Sequence, residues 1–196
     1  MKRAIIIHCW EGFPNYCWYP QTKKDLEKEG FEVIVPEMPD TAKPQLGPWL
    51  ANLKEIAGKA NNELFLLGHS LGCITIMRYL ESLKNGEQVG GVVFVAGFTD
   101  DLGYKELSNF FIEPINFKKI EERSRMFSLI NSDNDPYVPP KYVDILKDKL
   151  GAKSIVKHNM KHFSGPIDNE ESCLSLPEVK EEIMRMSHSV LSGTEK

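Results

Sequence analysis

Ser70 stands between two glycines, in Gly68-His69-Ser70-Leu71-Gly72, where an apolar run ends and a helical pattern begins. A serine hydroxyl is a poor nucleophile until a base removes its proton. On a sharp turn from strand to helix it is lifted above a sheet and set at a helix N-terminus, whose amides and dipole favour a developing oxyanion. Such a turn is too tight for side chains two residues before and after the serine, which calls for glycine at 68 and 72. The amide of Leu71 is then one oxyanion donor. A serine that merely caps the helix fits the same pentapeptide. The buried strand before it and the amphipathic helix after it favour the nucleophile.

In this arrangement an acid and then a histidine follow on loops after later strands. After MFSLIN (126–131) the chain reads NSDNDPYVPP. Asp133 and Asp135 compete. Asp135, four residues before the proline pair's first member, suits an acid held at the sheet's carboxyl edge, whereas Asp133 can bond its own loop's backbone. SIVKHNMKHFSG (154–165) offers His158 and His162. His158 continues the strand and is expected to point into or along the sheet. His162 lies in the loop beyond, can reach back over the strand ends, and is the favoured base. The H-x-x-x-H spacing could hold zinc on a helix, but the segment follows a strand, lacks the glutamate of H-E-x-x-H and has no third ligand. No metal site is expected.

A second oxyanion donor must come from the loop after the first strand, His8-Cys9-Trp10-Glu11-Gly12, with Trp10 supplying its backbone amide. The loop looks like an H-G-x-G oxyanion loop in which Cys9 replaces the first glycine. His8 and His69 read as structural groups bonding backbone at strand ends. Trp10, Phe13, Tyr19, Phe98 and Phe163 lie near the expected mouth and suggest a small, largely apolar acyl or aryl group, although core packing is the alternative for each.

These residues need a scaffold. Unbroken apolar runs at 3–8, 31–36, 64–68, 91–96, 126–131 and 154–158 read as strands buried on both faces. Helical faces alternate with them: Trp49, Leu50, Leu53, Ile56 and Ala57; Ile74, Met77 and Leu80; Val143, Leu146 and Leu150, entered through Pro139-Pro140 and closed by Gly151; and Val179, Ile183 and Met186 after Pro177. The alternation predicts an α/β fold of three layers, with a mostly parallel sheet of six strands, helices on both faces and no large cap domain. One domain spans 1–196. Its long irregular stretch, 97–124, is either a small lid or a surface loop with short helices. The final SGTEK is expected to fray.

The bounds agree. The 196 residues carry a formal net charge of −4, with 41 % hydrophobic and 27 % charged residues and no basic run, which disfavours nucleic acid or an anionic membrane as partner. No apolar run nears the ~20 residues of a membrane helix, and MKRAIIIHCWEG is too briefly apolar for a signal peptide. Cys9, Cys17, Cys73 and Cys173 are scattered, as for free thiols in a reducing cytoplasm. No G-x-G-x-x-G follows a strand, so a dinucleotide-binding protein is excluded.

Ser70 in GHSLG, Asp135 in SDNDPYVP, His162 in KHF and the HCWEG…CWYP opening, with MPD at 38–40, MRY at 77–79 and GFTDDLG at 97–103, resemble the retinoblastoma-binding protein nine (YdeN-like) group of small α/β-hydrolase serine hydrolases over nearly the whole chain. The resemblance implies a compact sheet and a general esterase-type or peptidase-like hydrolase. It does not specify the substrate. One member is named for binding a tumour-suppressor pocket protein through Leu-x-Cys-x-Glu. Leu71-Gly72-Cys73-Ile74-Thr75 lacks the glutamate and is expected to be buried, so that partnership is not carried over, and no protein partner is indicated.

The mechanism implied is carboxylesterase-like. Ser70 attacks an ester or amide carbonyl, His162 relays the proton, Asp135 orients His162, and an acyl-enzyme is hydrolysed by water without any cofactor. Two alternatives stand beside it: a weakly catalytic protein-interaction module on the same scaffold, and lyase or acyltransferase chemistry on the same fold.

Overall fold

The computed structural model describes residues 1–192; Gly193 to Lys196, most of the segment expected to fray, lie outside the described residues. Six strands alternate with helices: β1 (Arg3–Ile7), α1 (Tyr19–Lys28), β2 (Glu32–Ile34), α2 (Leu46–Ala57), β3 (Leu64–His69), α3 (Leu71–Ser82), β4 (Gly91–Val95), α4 (Phe117–Glu121), β5 (Phe127–Ser132), α5 (Lys141–Leu150), β6 (Lys153–Lys157) and α6 (Pro177–Ser192). All strand pairs are parallel, in the order β2-β1-β3-β4-β5-β6. The chain leaves β1 for one neighbour and then crosses to the other. A cleft therefore opens beyond the carboxyl ends of the central strands, where sheets of this kind bind ligands.

The strand composition follows from burial. β1, β3, β4 and β5 are covered on both faces and carry the unbroken Ile, Leu, Val and Phe runs. The edges differ from the expectation of two-sided burial. β6 exposes Lys153 and Val156, and β2 exposes Glu32; charged residues on an edge discourage pairing with another chain. Helices α2 to α5 pack on one face and α1 and α6 on the other, each over its own apolar cluster. Gly151, at φ 58°, closes α5 in the left-handed conformation that its sequence position suggested.

Two helical details depart from the sequence pattern. α1 carries no strong apolar stripe and was not foreseen; Pro20 starts it, and its contact with the sheet rests on Tyr19, Thr22 and Leu26. α3 is not amphipathic in the fold. Every residue from Leu71 to Leu80 is buried, because α2, α4 and the 97–124 segment cover what would be its outer face. Arg78, itself buried, donates to the carbonyls of Phe110 and Glu113 and pairs with Glu81. Asn109 accepts from the amide of Leu46 at 2.7 Å and donates to the carbonyl of Pro44. With Phe98, Leu107 and Phe110 buried beneath it, the 97–124 segment is a tethered wall containing a 3₁₀ turn (Lys105–Phe110) and α4. No described helix is long and apolar enough to cross a membrane.

The start of α3 lies directly against β1. A Cβ on Gly72 would stand 2.1 Å from the Ile7 carbonyl oxygen, and one on Gly68 would stand 2.7 Å from the Cys73 amide nitrogen. Both contacts are with backbone and cannot be relieved by a rotamer change. Gly72→Ala is expected to lower the unfolding free energy by roughly 3 kcal/mol, measured by urea denaturation; an unchanged midpoint would contradict the close approach.

Candidate active site

Five of the six strands lead at their carboxyl ends into loops that carry the residues in or just behind the cleft. Cys9 and Trp10 follow β1, Ser70 follows β3, Phe98 follows β4, Asp135 follows β5 and His162 follows β6. Ser70 sits at φ 52°, ψ −113°, a left-handed backbone that costs an L-residue about 1–3 kcal/mol. Its amide donates to the Val95 carbonyl at 2.9 Å, and its carbonyl accepts from the amide of Cys73 at 2.9 Å. The strained turn is thus tied to β4 and to the first turn of α3. The Ser70 side chain does not serve as a helix cap.

Asp135 and His162 form a buried pair. His162 Nδ1–H donates to Asp135 Oδ2 at 2.9 Å, with Oδ1 at 3.1 Å. The carboxylate also accepts from the amides of Tyr137 and Val138 at 2.9 and 3.0 Å. With Nδ1 committed, Nε2 is the basic nitrogen of the neutral ring. Burial alone would depress the His162 pKa, but the bond to Asp135, its charge and the charges of Asp168 and Glu170 prevail, and the pKa lies above the ordinary histidine value. Tyr137 packs against the ring at 5.1 Å between centroids. Ser70 and His162 line the same cleft. No hydrogen bond joins them in this structure, a gap common in unliganded sites that tighten around substrate.

The loop carrying His162 is held residue by residue from the loop carrying Asp135. Asp133 accepts from the Asn159 amide, Ser132 Oγ from that of Met160 and Asn134 Oδ1 from that of Lys161, at 2.8–3.0 Å. Asn159, Lys161 and Phe163 all have positive φ, between 47° and 57°, so this backbone needs external bonds to persist. Asp133 therefore has a defined place: it holds the neighbouring loop. His158, expected along the sheet, instead lies exposed and meets Asp133 at 2.6 Å.

The loop after β1 is shaped by His8, buried and kept neutral by desolvation. His8 Nε2 accepts from the Met38 amide at 3.2 Å, so Nδ1–H donates to the Cys9 carbonyl at 2.8 Å. Gly12 also bonds that carbonyl, and Glu11 takes φ 56°. Among the described residues, the amides of Trp10 and Leu71 donate to no protein acceptor. Cys9 faces the cleft, but burial lifts its thiol pKa to about 12, so it carries no thiolate to compete as a nucleophile.

The cleft holds about 210 Å³ and is walled by Trp10, Phe98, Leu102, Tyr104, Leu107 and Tyr137, with Glu11 and Asp168 as its carboxylates beyond the Asp135 pair. Of the aromatic residues named from the sequence, Trp10 and Phe98 line it. The other three do not. Phe13 stands at the surface against Tyr16, 45 % exposed. Tyr19 is fully buried beneath the site, and Phe163 is buried in the opposite apolar cluster. The wall residues Leu102, Leu107 and Tyr137 were not named from the sequence; Tyr104 belongs to the aromatic content of 97–124 that suggested a small lid over the strand ends. Among the described residues, no cluster of three or more His, Cys, Asp or Glu could hold a metal, and the four cysteines are unpaired.

The fold is that of an α/β hydrolase, and the chain belongs to the serine hydrolase family, whose model matches residues 4–184. It is 30 % identical over 177 residues to the putative hydrolase YdeN of Bacillus subtilis, covering 90 % of this chain and 91 % of that protein. It is 30 % identical over 166 residues to the serine hydrolase RBBP9 of Rattus norvegicus, covering 82 % and 87 %. The crystal structure of the B. subtilis ydeN product superposes with a TM-score of 0.87 at 28 % identity, over 95 % of this chain and 98 % of that one. A carboxylesterase study of Nitrososphaera gargenis supplies a structure with a TM-score of 0.71 at 13 % identity, over 98 % and 92 %, a likeness of fold.

Removing one lacing bond tests how the His162 loop is held. In Ser132→Ala the partly buried Met160 amide loses its acceptor, a loss of about 1–3 kcal/mol. Its hydrogen exchange is expected to accelerate at least roughly tenfold, followed by NMR. Unchanged protection would show that the loop holds itself.

Proposed function

We propose that the protein is a carboxylesterase-like serine hydrolase that cleaves small esters, and amides where the leaving group permits, through Ser70, His162 and Asp135. The observation that carries this reading is the convergence of a strained serine, a buried His–Asp pair and two amides without protein acceptors on one cleft. His162 Nε2 takes the proton of Ser70 as Oγ attacks the carbonyl carbon. The amides of Trp10 and Leu71 stabilise the oxyanion. His162 then protonates the leaving group, and a water attacks the acyl-enzyme with His162 again as base. Asp135 fixes the tautomer and stabilises the imidazolium.

The substrate is a small molecule. The cleft is smaller than the ~300 Å³ or more typical of drug-sized ligands, and its apolar wall suits a short acyl or aryl group. No cofactor takes part in these steps. The unpaired thiols suit a cytoplasmic setting, and the overall charge disfavours nucleic acid or an anionic membrane as partner. A binding module with little turnover is the second reading. The complete pairing of His162 with Asp135 weighs against it, since a scaffold freed from catalysis does not need to keep a buried charge pair.

Two kinetic outcomes follow. With p-nitrophenyl acetate and butyrate, Ser70→Ala is expected to lower kcat/KM by about 10⁴ or more and Asp135→Asn by about 10³–10⁴; wild-type rates in either variant would refute the assignment. The pH profile has a definite sign. The base works deprotonated, and its pKa is raised, so the acid limb of kcat/KM should have its midpoint above the ordinary histidine value of about 6.5. A midpoint at or below that value would remove His162 as the base.

A further inference from the structure

Beneath the cleft lies a chain of buried polar groups that the proposed chemistry does not use. The Cys9 amide donates to Tyr19 Oη at 3.1 Å, Tyr19 lies 2.6 Å from His69 Nδ1, and His69 Nε2 lies 2.8 Å from the carbonyl oxygen of His162. The carbonyl can only accept, so Nε2 carries the proton. In the neutral ring Nδ1 then accepts from the Tyr19 hydroxyl. Each group has one role, and the chain runs from the residue before Trp10 to the residue that would act as base. Tyr19 and His69 are completely buried, with Trp18 packed against both rings.

From this geometry we infer that Tyr19 and His69 are a positioning pair, which couples the loop after β1 to the backbone of His162 and holds both in register with Ser70. The inference rests on His162 being the base. Its physical ground is the strain at that residue. His162 lies between Lys161 and Phe163, both at positive φ, and its peptide is gripped from both sides: Glu170 accepts from its amide at 3.2 and 3.3 Å, and His69 donates to its carbonyl. Burying two polar side chains costs free energy that their hydrogen bonds must offset, and a leucine or phenylalanine would fill the space at lower desolvation cost. Burial, with His162 5.2 Å away between ring centroids and His8 also near, holds His69 neutral well below the ordinary histidine range. It therefore keeps one tautomer while His162 gains and loses its proton, and the direction of the chain does not reverse during turnover.

The test is Tyr19→Phe, which keeps the ring and removes only the hydroxyl, read by NMR titration of the His162 ring and by kcat and KM on p-nitrophenyl acetate. The expected result is a His162 midpoint moved down towards the ordinary value and a kcat reduced about 10- to 100-fold, with KM little changed. His69→Gln, whose side-chain amide can still donate to the His162 carbonyl, is expected to keep more kcat than His69→Leu. If Tyr19→Phe does not fold, that comparison decides alone, and equal rates in the two His69 variants overturn the inference. A folded Tyr19→Phe with an unchanged His162 titration overturns it as well, whether or not kcat falls. The titration needs no turnover. A wild type that hydrolyses no ester would count against the proposed function, while the ring titration still reports on the coupling.

Discussion

Helix α3 begins where it does because Gly72 has no Cβ to strike the Ile7 carbonyl. That contact sets the helix N-terminus against the end of β1, which brings the loop of Cys9 and Trp10 beside the turn of Ser70. Gly68, packed on the backbone of Cys73, closes the same turn from the other side. The φ of 52° at Ser70 is the cost of so abrupt a reversal, and the bonds to Val95 and Cys73 hold it. The other groups of the cleft are arranged around this fixed point.

The same economy governs the opposite rim. β5 and β6 are neighbours, so the loops that leave them run side by side, and Ser132, Asp133 and Asn134 each take an amide of the adjacent loop while Asp135 takes the His162 ring. The short stretch from 132 to 135 supplies both the carboxylate that bonds the His162 ring and the acceptors that hold the His162 loop. From below, His69 and Tyr19 reach the same histidine. A strained loop with three positive-φ residues is thereby held without a long or apolar segment of its own.

Much of this was legible in the sequence, and the limits have physical causes. The strands showed as unbroken apolar runs because burial on both faces demands them. Ser70, Asp135 and His162 could be nominated because each follows a strand. α1 was illegible because its contact with the sheet is carried by Tyr19, Thr22 and Leu26 and not by a long apolar stripe. Proximity along the chain also misled: Phe13, Tyr19 and Phe163 are near the site in sequence, but Phe13 stands at the surface and Tyr19 and Phe163 are buried in the apolar cluster under α1 and α6. The far wall, Leu102 to Leu107, comes from an irregular segment whose position depends on the tertiary bonds of Arg78 and Asn109, for which the sequence has no local signal.

The central claim is that Ser70 is an activated nucleophile. The most direct measurement is reaction of the purified protein with a fluorophosphonate, read by intact mass and peptide mapping, beside His162→Ala. The account predicts a single stoichiometric adduct on Ser70 in the wild type and slow or no reaction in the variant. A folded wild type that stays unlabelled, or an adduct on another residue, would contradict it.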